Sequence, residues 1–176
     1  MRTDTLSLYG YLLLVLCIAM QRLLELRRSK RNEAGLKRRG AQEAASGHFT
    51  AMRGLHVGWL VGCMAEAYWR HQPPALAVSM PALAILMLGQ TLRFAAMSAL
   101  QERWTVRIMT LPGVPPVTHG IYRYIRHPNY LGVGLELAAL PLLYGSWITA
   151  LGFGIANAVM LRIRIRAEEA ALDAAG

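Results

Sequence analysis

The densest run of chemically capable side chains is Thr118-His119-Gly120-Ile121-Tyr122-Arg123-Tyr124-Ile125-Arg126-His127-Pro128-Asn129-Tyr130. Pro128 disfavours helical geometry at His127 and is well tolerated in a first helical turn, so a helix is expected to start there. The unpaired amides of that turn, beside Arg126, suit an anionic group such as a carboxylate or a phosphate. An ordinary helix cap gives the same pattern. Gly132 and Gly134 follow, leaving room for a ligand or a neighbouring helix to approach closely.

A second run is Arg162-Ile163-Arg164-Ile165-Arg166-Ala167-Glu168-Glu169. On a helix Arg162, Arg166 and Glu169 share one face, and Arg164 and Glu168 another. One face then suits solvent and the other a pocket, although a basic stop signal with local salt bridges fits equally well. Adjacent helical residues are about 100° apart, so one glutamate points straight into any pocket, and Glu168 is favoured. Gln90 and Arg93 stand one turn apart, with Gln101 continuing their stripe. An arginine within lipid costs about 2.5 to 3.5 kcal/mol on insertion scales, so Arg93 should face protein or water, or else snorkel to the headgroups. His56, Glu66 and Glu136 suit interhelical hydrogen bonds or ligand roles.

The elements that must position these residues are apolar. The 176 residues are 55% hydrophobic and 16% charged, which points to membrane. Lys and Arg total 19 against 10 Asp and Glu. That excess does not form one basic face for nucleic acid but sits in short segments between apolar runs, as topology signals do. Cys17 and Cys63 fall inside apolar runs without metal or disulfide spacing. The N-terminal segment lacks a small-residue cleavage site and is expected to be a retained helix.

Apolar blocks run from about Leu6 to Gln21, Leu55 to Trp69, Met80 to Leu100 and Tyr130 to Leu161. The last is broken at Pro141 and Tyr144-Gly145-Ser146, so it reads as two helices with a tight turn. The expectation is an all-α integral membrane protein with about five transmembrane helices, the last two a tight hairpin. It forms a single domain over 1–176, with three spans in 1–100 and a cofactor-binding half in 101–176.

Arg22, Arg27, Arg28, Lys30, Arg31, Lys37, Arg38, Arg39 and Arg53 are expected in one basic cytoplasmic loop, 22–53. Such a loop holds the orientation and attracts anionic membrane lipid, or covers a site. The other basic clusters agree, placing the N-terminus outside, the C-terminus in the cytoplasm and the pocket on the cytoplasmic side of a bacterial inner membrane. Trp69 and Trp147 then belong near the outer interface and Trp104 near the inner one.

Residues 120–130, paired with Glu168-Glu169 across a helical hairpin, resemble the signature of the isoprenylcysteine carboxyl methyltransferase and phospholipid methyltransferase superfamily. The likeness covers about Arg93 to Leu172. Residues 22–32, 47–52 and 104–113 further resemble a bacterial branch associated with type III polyketide synthases. The resemblance implies O-methylation with S-adenosyl-L-methionine of a lipophilic acceptor, such as an alkylpyrone, an alkylresorcinol or a prenylcysteine-like lipid. By it, Tyr122, Arg126, His127, Pro128, Tyr130, Leu131 and Glu168 or Glu169 would line the cofactor pocket.

Eukaryotic members continue past the paired glutamates with a closing segment, so here that element is expected to be missing, or to be supplied by the first basic loop or a second subunit. Arg93, Arg126, Arg162 and Arg166 are the arginines available to orient an anionic acceptor. A phenolic acceptor would instead need a base such as His127 or Glu136. An NADPH-dependent reductase of the sterol type and a non-enzymatic membrane protein are the rival readings.

Overall fold

Apolar runs punctuated by Pro and Gly fold into five α-helices: α1 (Arg2–Arg38), α2 (Gly47–Arg70), α3 (Leu76–Leu100), α4 (Pro128–Leu142) and α5 (Trp147–Ala175). The computed structural model describes the backbone of residues 2–175 and the side chains of residues 7–174, so Met1 and Gly176 lie outside the described residues. Two three-residue strands, β1 (Gln42–Ala44) and β2 (Ile108–Thr110), pair antiparallel with Glu43 opposite Met109. With so little strand the fold is consistent with the all-α expectation.

The segment 22–53 is not a loop. α1 continues through the basic run to Arg38, because Leu, Glu, Arg and Lys all favour helix. It stops at Gly40, whose φ of 86° supports a left-handed cap. The Gly40 amide bonds the Lys37 carbonyl at 3.0 Å, and the Ala41 amide bonds that of Leu36 at 3.0 Å. With 37 residues α1 is about 55 Å long, against a hydrocarbon core of about 30 Å, so its basic end overhangs any bilayer.

α3 and α4 touch backbone to backbone. A Cβ added to Gly132 would lie 2.6 Å from Arg93 Cγ and 2.7 Å from the Gly89 carbonyl oxygen, so glycine is required by space. Gly134, by contrast, has only Leu161 Cδ1 at 3.8 Å. Trp59 ties α2 to α4 by donating from Nε1 to the Leu137 carbonyl at 3.1 Å, within a core that includes Val15, Cys63 and Leu140. Glu66 caps α5, accepting from the amides of Ile148 at 3.1 Å and Thr149 at 2.7 Å. Its interhelical role is therefore the one realised. The hairpin turn at Gly145 uses a positive φ of 71°.

Large apolar side chains project outward from every long helix, among them Leu13, Val61, Met87 and Ile155. So much exposed apolar surface suits lipid and not water. Among the described residues three helical segments are long and apolar enough to cross a membrane: Ser7–Arg38, Leu76–Arg103 and Trp147–Ala174. Trp69 and Trp147 are exposed. Trp104, expected at the inner interface, is instead only 3% exposed and belongs to the interior.

Gly132→Ala should lower stability by about 1 to 3 kcal/mol through overpacking against Arg93 and Gly89. Gly134→Ala should be neutral or stabilising by up to about 1 kcal/mol, since only helix propensity changes. Thermal melting of both variants in one detergent checks the contrast.

Candidate functional site

The start of α4 meets the end of α5. His127 takes an extended φ of −127°, which lets Pro128 open the helix, and the preceding 3-10 turn at Gly120–Arg123 carries Tyr122. Across the hairpin, Tyr130 donates its hydroxyl to Glu168 Oε2 at 2.6 Å, and His127 Nε2 lies 3.1 Å from Glu169 Oε1. Arg164 is buried, with its Cζ 5.8 Å from the centre of the Tyr130 ring and its Nη2 bonding the Val106 carbonyl at 2.6 Å. Burial and the nearby Glu168 carboxylate push the Tyr122 hydroxyl above its ordinary pKa, so it remains a proton donor.

These groups line one cavity of about 950 Å³. Its cover is built by the overhanging end of α1, the β1–β2 pair and the chain from Trp104 to Leu111. Side chains of α1 fasten that cover. Ser29 accepts from the Val106 amide at 2.9 Å, and Asn32 donates to the carbonyls of Gln101 at 3.1 Å and Trp104 at 2.7 Å. Arg107 pairs with Glu43 and, at 3.5 Å, with Glu33, and stacks 4.5 Å from the Phe49 ring. The basic segment thus covers the cavity as well as carrying charge.

At the inner end of the cavity four charges from three helices meet. Arg22 bonds Glu25 at 2.7 Å and also pairs with Glu136, while Arg93 pairs with Glu25 and bonds Glu136 at 3.2 Å. Gln21 donates to Glu25 and to Gln90, both at 2.9 Å. Arg93 and Glu136 are 3% and 0% exposed. Two cations and two anions leave the cluster neutral.

Of the residues singled out from sequence, Tyr122, Arg126, His127, Tyr130, Glu168, Glu169 and Arg93 line the cavity. Both glutamates do so, although helical geometry favoured one alone, and the Glu169 side chain is the more open at 44% exposed. Pro128 is buried as the opening residue of α4. Leu131 is 46% exposed in a shallow outer groove. Arg166 and Arg162 are exposed and lie outside the cavity lining, whereas Arg164 is the arginine that enters. Glu136 is held by two guanidiniums rather than free as a base.

His56, which the sequence left between an interhelical hydrogen bond and a ligand role, also lines the cavity, as do Arg22, Glu25, Trp104, Asn129 and Arg164, which carried no site assignment from sequence. The available signal was the spacing Arg22-x-x-Glu25, a helical neighbour pair in a stretch whose charge looked purely topological.

The residues present fit S-adenosyl-L-methionine. Asn129 Oδ1, Trp104 Nε1 and Arg164 Nε are buried without a hydrogen-bond partner, which leaves an acceptor and two donors for a ligand. Glu168 and Glu169 supply carboxylates for hydroxyl or ammonium donors, and Tyr122 and Tyr130 supply ring faces that favour a cation.

The family model of the isoprenylcysteine carboxyl methyltransferase (ICMT) family matches residues 82–174, just over half of the chain. An uncharacterised protein of Bacillus subtilis, YpbQ, is 34% identical over 164 residues, covering 92% of this chain and 95% of its own. An uncharacterised protein of Haemophilus influenzae is 31% identical over 89% of this chain and 91% of its own. The protein-S-isoprenylcysteine O-methyltransferase of Schizosaccharomyces pombe is 33% identical over 93 residues, 52% of this chain and 39% of its own. No solved structure matches the chain.

The matched segment holds Arg93 and Glu136, while Arg22 and Glu25 lie before it. The charge cluster therefore joins the matched half to α1. Arg93→Met leaves two buried carboxylates short of a partner and should lower stability by about 3 to 5 kcal/mol. Adding Glu136→Leu restores neutrality around the Arg22–Glu25 pair and should recover part of that loss. Denaturant titration of the wild type and of both variants, in one detergent, measures the difference.

Proposed function

The chain belongs to the isoprenylcysteine carboxyl methyltransferase family and is a multi-pass membrane protein, and from this we propose that it transfers a methyl group from S-adenosyl-L-methionine to an oxygen of a lipophilic acceptor. The observation that carries the reading is the meeting of the Arg126-His127-Pro128-Asn129-Tyr130 start of α4 with Glu168 and Glu169 of α5 in one cavity. When bound there, the cofactor supplies an electrophilic methyl on a sulfonium. Tyr122 and Tyr130 offer their rings to that positive charge, and Glu168, oriented by the Tyr130 hydroxyl, accepts from the donor groups. Arg126 and the first amides of α4 suit the carboxylate.

Displacement at a methyl group requires the acceptor oxygen in line with the bond that breaks, so positioning contributes much of the rate. Arg93 and Glu136 serve that purpose indirectly in this reading, by locking α3 and α4 together behind the cavity. The apolar walls from Leu26, Met52, Leu60 and Val133 suit a hydrocarbon chain. Alkylpyrones and alkylresorcinols, products of type III polyketide synthases, and prenylcysteine-like lipids are the acceptors proposed. The family match does not favour the NADPH-dependent reductase or the non-enzymatic reading.

The proposed topology has five spans, with the N-terminus outside and the C-terminus in the cytoplasm of a bacterial inner membrane. It is supported by the cationic residues at the cavity end of α1, in the 101–127 segment and at the end of α5. A reporter fused after Gly176 should be active only in the cytoplasm, and one inserted at Gln72 only outside. The reverse pattern would put the cavity on the side away from cytosolic cofactor.

Calorimetric titration with S-adenosylhomocysteine tests the cofactor site directly. The wild type should bind. Glu168→Gln should weaken binding by about 1.5 to 3 kcal/mol, roughly 10- to 100-fold, because a charge-assisted hydrogen bond is lost. Glu169→Gln should cost about 0 to 1 kcal/mol, as its side chain is open to solvent. Absence of binding by the wild type would remove the methyl-transfer reading.

A further inference from the structure

His56 lies in the third turn of α2 and lines the cavity, yet neither the paired glutamates nor the α4 motif involves it. Its Nδ1 is 2.9 Å from the Met52 carbonyl oxygen. A carbonyl only accepts, so Nδ1 carries the hydrogen, and in the neutral ring the lone pair belongs to Nε2. Among the described residues Nε2 has no hydrogen-bond partner. The ring is also held edge-on against Trp59, with centroids 6.3 Å apart, and Trp59 is itself fixed to α4. The imidazole is thus oriented by two contacts, and one basic nitrogen is left over.

Its surroundings suit the making of an anion. Arg22 and Arg164 lie within electrostatic reach of the imidazole, and Arg164 sits over the Tyr130 ring at the other wall of the cavity. The two other groups suited to base chemistry are engaged: His127 with Glu169 at 3.1 Å, and Glu136 with Arg22 and Arg93. His56 also lies outside the residues matched by the family model, so its presence is a property of this chain's own first half.

We infer that His56 is the general base for methyl transfer and that the acceptor presents a phenolic hydroxyl rather than a carboxylate or an acidic enol. The inference rests on the methyl-transfer reading above and adds the acceptor's chemical class. A carboxyl group of pKa about 4 is already ionised at neutral pH and gains nothing from an imidazole. A phenol of pKa about 10 keeps its proton, and a positioned base is worth about 10²- to 10⁴-fold in rate. Nε2 takes the hydroxyl proton. The oxygen's electron pair forms the new bond to the methyl carbon as the carbon–sulfur bond breaks and its pair stays on sulfur. The imidazolium then returns its proton to water, while Arg22 and Arg164 favour the oxygen's negative charge before transfer.

The test uses the full chain in detergent with two probes, a long-chain alkylresorcinol and an N-acetylated prenylcysteine. Wild type should methylate the alkylresorcinol. His56→Gln should lower kcat on it by about 10²- to 10⁴-fold, with KM and S-adenosylhomocysteine affinity unchanged. His56→Ala should regain rate when imidazole is added. As a readout apart from turnover, a long-chain alkyl nitrophenol, coloured only as its phenolate, should be more ionised when bound to wild type than to His56→Gln. S-adenosylhomocysteine binding certifies that each variant is folded. An undiminished rate for His56→Gln on the alkylresorcinol, equal ionisation of the nitrophenol, or methylation by wild type of the prenylcysteine alone would overturn the inference and leave the methyl-transfer reading standing. A wild type that binds no S-adenosylhomocysteine would overturn both.

Discussion

Four buried charges decide how the first half of this chain meets the second. Arg22 and Glu25 on α1 interlock with Arg93 on α3 and Glu136 on α4, and each arginine contacts both carboxylates. Removing such ions from water costs several kcal/mol each, and only close, neutral pairing offsets the penalty. The arrangement therefore tolerates few alternatives. Sliding α1 by one turn along α3 would break the Arg22–Glu136 and Arg93–Glu25 pairs and leave each buried ion with one partner instead of two, so the cluster favours one register of α1. Gly89 and Gly132 act with it, because their backbones must touch for Glu136 and Arg93 to come within reach.

That register is what makes the overhanging end of α1 useful. Once Arg22 and Glu25 are locked, the next turns present Ser29, Asn32 and Glu33 to the chain between Gln101 and Arg107. A stretch with little secondary structure of its own is thus held over the cavity by side-chain bonds to its backbone. β1 adds a second fastening through its pairing with β2 and through Glu43 and Arg107. These contacts are mostly half-buried hydrogen bonds and ion pairs, each of modest net strength.

The helices were legible in the sequence because Pro and Gly mark their ends: Pro73-Pro74, Pro128 and Tyr144-Gly145-Ser146 all fall between or at the start of observed helices. So was the pairing of the α4 start with the end of α5, which the resemblance brought together and which here takes the form of the Tyr130–Glu168 and His127–Glu169 contacts. The charge pattern misled in the segment 22–53. Lys and Arg announce which side of a membrane a segment occupies, but they also favour helix, and nothing breaks α1 before Gly40. The choice of arginine at the end of α5 turned on helix rotation, which a face argument leaves open: Arg164 and Arg166 lie about 200° apart, and only the packing of α5 on α4 selects between them. The partners of Arg93 were hidden for a different reason, since Glu25 is 68 residues away in sequence and no local pattern joins them.

The cavity has a polar wall and an apolar one. The polar wall includes Arg53, Arg103 and Asp173. The apolar wall includes Leu23 of α1 and Val57 of α2, which are 54% and 57% exposed while lining the same space. An acceptor's hydrocarbon chain can stay in lipid there while its polar head reaches inward, which avoids the transfer cost of about 0.8 kcal/mol per methylene exposed to water. His56 lies one residue before Val57, on the stretch of α2 that such a head group would pass. His56 and the exposed Val57 are thus placed by the same turn of α2, whereas the Tyr130–Glu168 and His127–Glu169 contacts are set by α4 and α5. On the proposed reading acceptor chemistry and cofactor chemistry would reside on different halves of the chain, and the charge cluster between α1, α3 and α4 is what joins those halves.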